Sequence, residues 1–444
     1  MKDALSIIIV GGGASGVLLA THLLGHRDRA VNITLIEKRP GVGRGVAYSA
    51  VRVDHVLNVP ASGMSAFPDD PGHFQRWLHR DSPERPDEPF FFAPRRMYGV
   101  YLDEVLREAS LAAAPRSLLT IVEGESGAIE STAKSAAVTL IDGRRIEADI
   151  AVLAVGHEEQ PSRSLTVRTG SPADTDLPLD APVIMLGSGL SMIDAWLALV
   201  ARQHRGPIRV VSRHGLLPQP HRQVLPLQID EADVPFEASF VQFWHWFRGL
   251  VQSNERRGSD WRSVVDGLRP YNQRIWQSWT PGSRRQFLQH ARPWWNIHRH
   301  RLPPQLHARL VAAIANGQVE LTAGVLRDVE PVPAGVRAII KLRGVPETRS
   351  FDVVRVYDCG GVTVDVTRSS NATIQSLLAS GRGRPDPERI GLDVTRDLAV
   401  VARDGRPASG LYAVGPLTRG KFFEIEAVPD IRRQCADLAA RLVA

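Results

Sequence analysis

Short apolar runs that end on glycine punctuate this chain. Ser6-Ile7-Ile8-Ile9-Val10 has no polar alternation after its first residue, as expected of a strand buried on both faces of a parallel sheet. The period then changes to helical, with Val17, Leu18, Leu19, His22 and Leu23 spaced along the next segment. Between the two lies Gly11-Gly12-Gly13-Ala14-Ser15-Gly16. The same succession returns at Val183-Ile184-Met185-Leu186, Gly187-Ser188-Gly189-Leu190-Ser191-Met192 and a helical stretch through Asp194, Ala195 and Leu197.

A strand, a glycine-rich turn and a helix in this order suit a dinucleotide. Gly11 permits the tight turn, Gly13 lets the backbone approach a pyrophosphate, and Gly16 lets the helix pack closely on the strand. The helix start offers free N–H groups and a positive dipole end to the phosphates, which brings in Ala14 and Ser15. The next strand of each unit ends on a side chain that can read the ribose. Asn32 to Ile36 leads to Glu37, followed by Lys38, and Ile208 to Ser212 leads to Arg213. Each reader stands 26 residues after its first glycine, Gly11 to Glu37 and Gly187 to Arg213. A carboxylate accepts bonds from free ribose hydroxyls and repels a 2′-phosphate, whereas a guanidinium binds one. The second unit, with Gly187, Ser188, Gly189, Ser191 and Arg213, is therefore expected to take NADPH rather than NADH. Two features leave that open: Arg213 also reads as a solvated strand-end residue, and Met192 replaces the third glycine and would hold helix and strand apart.

The surroundings of the two turns repeat as well. Leu119 to Gly124 precedes a hairpin around Asp142-Gly143 and then a strand from Ile150 to Val155, ending at Gly156. Val319 to Gly324 precedes a hairpin around Arg343-Gly344 and then a strand from Val353 to Tyr357, ending at Cys359-Gly360-Gly361. A strand at Leu411 to Val414 with Gly415, and a helix from about Pro429 to Leu442, complete the first unit from the far end of the chain. The fold class is α/β, with two Rossmann-like domains, parallel sheets and β-hairpin crossovers. Residues 1–165 and 362–444 are expected to form an FAD-binding domain, and 181–235 and 301–361 an NAD(P)H-binding domain.

Between 236 and 300 the βαβ rhythm stops, and the segment holds seven of the nine tryptophans. It is expected to be a helical insertion, either the aromatic core of a lid or a substrate cage. Trp294, Trp295, His298 and Arg301, in the run 294–301, are the candidate substrate contacts. No carboxylate or cysteine completes a metal site with His298 and His300 at readable spacing, so no metal is expected.

Composition narrows the picture only a little. The net charge of +6 comes from 54 basic residues, five of them lysine, scattered without a tract or reader motif, so nucleic acid is not the expected partner. Two distant cysteines, Cys359 and Cys435, fit a reducing cytoplasm and exclude a redox CxxC. No apolar run reaches the length of a membrane span.

Several longer stretches resemble a known family. GGGASG at 11–16, GVGRGVAYS at 41–49, HVLNVPASGMSAFPDDPGHFQRWL at 55–78, APRRMYGVYL at 93–102, GSGLSMID at 187–194, WWNIHRHR at 294–301 and GPLTRGKFFEIEAVPDIRRQ at 415–434 are similar to bacterial FAD/NAD(P)-binding proteins related to FAD-dependent urate hydroxylase and nitrosuccinate synthase. The resemblance implies that Asn58, Pro60, Ser62 and Met64 lie near the isoalloxazine and Arg96 near the FAD pyrophosphate or substrate. Pro416 departs from the family pattern, standing where an aspartate commonly meets the ribityl chain. Catalytic side chains are not legible, because no Ser/His/Asp set, metal cluster or CxxC is present and the chemistry falls to the cofactor. The leading expectation is an NADPH-dependent monooxygenase acting through a flavin C4a-hydroperoxide, with molecular oxygen and a small anionic or nitrogen-containing substrate as partners. An NAD(P)H-dependent reductase without oxygen insertion, and a non-enzymatic dinucleotide-bound sensor, remain as alternatives.

Overall fold

The computed structural model describes residues 4–49, 55–80, 90–159, 164–167, 176–360, 362–363 and 365–444. Gly361, the last glycine of the second repeat, lies outside them, as do parts of the expected domain boundaries near 160–165.

Two six-stranded sheets carry the chain. In the first, the strand Leu5–Val10 lies between Val31–Glu37 and Ile150–Leu153, parallel to both, with Ile7 opposite Ile33 on one side and Ile150 on the other. Leu118–Glu123 extends the sheet beyond Val31–Glu37, and Pro407–Ala413 extends it beyond Ile150–Leu153. In the second, Val183–Leu186 lies between Ile208–Ser212 and Arg355–Asp358, and Val319–Val332 continues past Ile208–Ser212. The first four strands of each repeat thus occupy matching places, which is the observed basis of the duplication.

The two hairpins are attached differently. In the first repeat the chain turns at Gly124, and Ser126–Ser131, Ala136–Leu140 and Arg145–Ala148 form a separate three-stranded sheet. In the second, the strand runs on through Gly324 for 14 residues, shifting register between Leu326 and Asp328, so its hairpin stays in the main sheet. That continuation was not legible, because Gly324 reads as a strand end like Gly124.

The helix Ala14–Gly25 buries nearly its whole surface. Val17, Leu18, Leu19 and Leu23 share a core with Cys435, Leu438 and Ala439 of the C-terminal helix Val428–Val443. Distant parts of the chain therefore share one core, and this first unit meets the second through the Arg95–Asp194 ion pair at 2.8 Å and the His221 Nε2 to Asn58 O bond at 2.9 Å.

The insertion is helical, with Phe240–Arg256, Trp261–Leu268, Asn272–Ser278 and Arg292–Arg299 as its main elements. Phe243, Phe247, Trp276, Trp279, Phe287 and Trp295 make its core. Before Arg292 the helix widens into a π turn at Phe287–Ala291. Pro293 accounts for it, since its ring lacks an N–H and crowds the carbonyl four residues back, at Gln289. Among the described residues no helix is long and apolar enough to cross a membrane.

Candidate active site

The first glycine turn is closed by contacts with no spare room. Gly11 has φ +107°, and a Cβ there would stand 2.6 Å from the Ala154 carbonyl oxygen. A Cβ on Gly16 would stand 1.9 Å from the Gly11 oxygen, so only glycine lets the helix sit this close to its own turn. A Cβ on Gly13, by contrast, would meet nothing nearer than the Gly45 Cα at 3.6 Å, which leaves the backbone open to a ligand. No side chain caps the helix start, so its first N–H groups keep donor capacity.

A cleft of about 380 Å³ runs along this turn. Gly11, Gly13, Ala14, Ser15, Glu37, Lys38 and Gly156 of the sequence-derived set line it, together with Pro416. The Glu37 carboxylate accepts from the Gly12 N–H at 2.8 Å and the Arg39 N–H at 2.9 Å, which aims it while leaving lone pairs for ribose hydroxyls. Lys38 pairs with Glu125 at 2.8 Å on the same wall. Gly415 packs under the turn with φ +70°, where a Cβ would strike Ser15 Oγ, and donates its N–H to Gln434 Oε1 at 2.7 Å. The open backbone at Gly13, the uncapped helix and the aimed carboxylate fit the adenosine diphosphate half of FAD.

Other expected contacts lie away from this cleft. Met64 is buried in the core that Ala14–Gly25 shares with Val428–Val443, Asn58 meets His221 through its carbonyl, and Arg96 is exposed. Arg44 and Tyr48, inside the 41–49 motif, line the cleft instead. His157, Glu158 and Glu426 line it too, and nothing in their sequence spacing marks them.

His157 and Glu426 share a guanidinium. Arg419 Nη2 lies 3.2 Å from His157 Nδ1 and 3.0 Å from Glu426 Oε1. Burial pushes His157 down to about 4, against the charge of Glu426. For Glu426 burial favours the neutral acid, but the charges of Arg419, His157, His300 and Arg292 outweigh it and hold the carboxyl well below the usual range.

The run 294–301 turns out to be mostly anchored. Trp295 Nε1 donates to Glu424 at 2.5 Å, Asn272 and Arg299 bind the same carboxylate, and Arg301, only 3% exposed, pairs with Asp266. His298 packs against Trp261, with ring centroids 4.6 Å apart. Trp276 Nε1 reaches the Gly420 carbonyl at 2.8 Å and its ring stacks on Phe423. The insertion thus grips the 419–427 loop that borders the cleft. Trp294, 44% exposed, instead faces His214, next to Arg213.

At the second turn, Gly187 repeats the close approach, a Cβ there meeting the Cys359 oxygen at 2.7 Å. Gly189 again starts the helix Leu190–Ala201 without a side-chain cap, and a Cβ on it would meet nothing within 4 Å. Ser188 Oγ bonds the Leu216 carbonyl and Ser191 is exposed. Met192 is fully buried among Val183, Met185 and Ile193, and its N–H turns back to the Gly189 carbonyl at 3.1 Å. Arg213 is exposed, beside His214, which Arg343 contacts. Arg343 is a second cation that the sequence reading missed. Among the described residues no group of three or more potential ligands gathers for a metal.

Residues 8–158 match the model of a family described as FAD-NAD(P)-binding. None of the curated proteins matches the chain. Solved structures align over nearly its full length. The ornithine N-hydroxylase of Kutzneria sp. 744, solved with FAD, NADP+ and ornithine, shares 14% identity over 99% of both chains, with a TM-score of 0.67. L-lysine 6-monooxygenase from Pseudomonas syringae shares 16% identity over 98% of both, with a TM-score of 0.65. The FAD-bound cadaverine monooxygenase of Erwinia amylovora shares 14%, covering 100% of this chain and 95% of its own, at 0.62. At such identities the likeness is one of fold: an α/β chain with two Rossmann-like domains. The named substrates all carry amino groups, and the three differ from the urate hydroxylase and nitrosuccinate synthase types to which the motifs pointed.

Proposed function

We propose that the chain is an FAD-dependent monooxygenase that uses NADPH to oxygenate a small nitrogen-containing substrate. The observation that carries this reading is the pair of uncapped glycine turns whose equivalent ribose-reading positions hold opposite charges, Glu37 in one and Arg213 in the other. Glu37, Gly13 and the start of Ala14–Gly25 would hold FAD, and Gly187, Ser188, Gly189, Ser191 and Arg213, with Arg343 close by, would hold NADPH. Bound FAD supplies the redox chemistry. The protein's part is to bind both dinucleotides, orient them and exclude water, and the insertion that grips the 419–427 loop covers that side of the site. The full-length likeness to three monooxygenases supports oxygen insertion over simple reduction, and their amine substrates support a nitrogen acceptor.

The test is oxygen consumption by the FAD-loaded protein with NADPH, across a panel of amino acids, diamines and purines. Uptake that depends on one substrate class and leaves little free peroxide is expected. Turnover with an artificial electron acceptor but no substrate-dependent uptake would replace the reading with a reductase.

A further inference from the structure

Resting on the FAD reading above, we infer that His157 and Glu426, fixed as a donor and acceptor pair by Arg419, recognise the imide edge of the flavin ring, its N3–H and an adjoining carbonyl. A guanidinium can only donate, so the contact of Arg419 Nη2 with His157 Nδ1 makes that nitrogen an acceptor. A neutral imidazole that accepts at Nδ1 carries its proton on Nε2. His157 therefore brings an N–H donor to the cleft wall, while the ionised Glu426 brings only acceptors.

Their position suits the ring rather than the adenosine. The strand Leu5–Val10 separates Val31–Glu37 from Ile150–Leu153. Glu37 ends the strand on one side, and His157 follows the strand on the other. Glu426 precedes the start of Val428–Val443, beyond Gly415 and Pro416. Arg419 is 5% exposed, and its Nε and Nη1 are buried without a hydrogen-bond partner among the described residues. Unmet donors on a buried cation are costly, and among the described residues the side-chain contacts of Arg419 go to the two cleft-lining side chains. An imide presents N–H beside C=O, the complement of a carboxylate beside an imidazole N–H.

Reconstitution of the wild-type apoprotein with FAD and with 3-methyl-FAD, whose N3–H is replaced by a methyl group, tests the pairing by flavin fluorescence titration. The analogue is expected to bind about tenfold or more weakly. Glu426→Gln, measured by redox potentiometry, is expected to raise the flavin midpoint potential, because it removes a negative charge beside the ring. Equal affinities for FAD and the analogue would overturn the inference and leave the FAD reading standing. Failure of the wild type to take up FAD at all would overturn both.

Discussion

The two dinucleotide turns share a backbone plan and differ in how their helices are seated. In the first, glycine at position 16 lets the helix close onto the Gly11 carbonyl, while in the second Met192 fills that place with a buried side chain. The close approach of strand to neighbouring strand is nevertheless the same, Gly11 to Ala154 and Gly187 to Cys359. The crossing at the first glycine is thus the invariant part of the unit within this chain. The third glycine is one solution to packing the helix, and a thioether that joins the core is another.

Substitutions can break this comparison in graded steps. Gly16→Val places atoms inside the Gly11 carbonyl, and displacing the helix should cost about 3 kcal/mol or more, lowering FAD affinity over roughly 100-fold. Met192→Leu conserves volume at the matching site and should leave NADPH binding within a few-fold, read by the same titrations. Arg213→Ala removes a charged donor, so NADPH affinity should fall by about 2 kcal/mol, roughly 30-fold, with NADH unchanged. Equal losses for both nucleotides would remove Arg213 from the 2′-phosphate. Glu37→Gln loses the charge but keeps one acceptor, and FAD binding should weaken by about 1 kcal/mol.

A separate effect concerns acid. Burial lowers His22, His157 and His221 to about 4 each, so the folded state prefers them neutral. The stability they contribute is complete above the ordinary histidine value of about 6.5 and is lost as pH falls toward 4. Thermal melting should therefore drop through that window. His22 and His157 belong to the FAD side and His221 to its joint with the second unit, so flavin release should accompany the loss.

Sequence alone shows the parts of this molecule that depend on local backbone chemistry. The two glycine turns and the strands that flank them follow from apolar periodicity and spacing. The cluster of His157, Arg419 and Glu426 does not, because the segment after Ile150–Leu153 and the loop before Val428–Val443 are far apart in sequence and meet only in the fold. In the run at 294–301, Trp295 and Arg299 hold Glu424, Arg301 pairs with Asp266 of the insertion, and Trp294 meets His214. Composition exposed the segment, but only the packing separates an anchor from a ligand contact.

The most direct measurement is the visible spectrum of purified protein, incubated with FAD and desalted, as NADPH is added under nitrogen. A flavin band that survives desalting and bleaches with NADPH is the predicted result. Folded protein that stays colourless after FAD incubation would contradict the account.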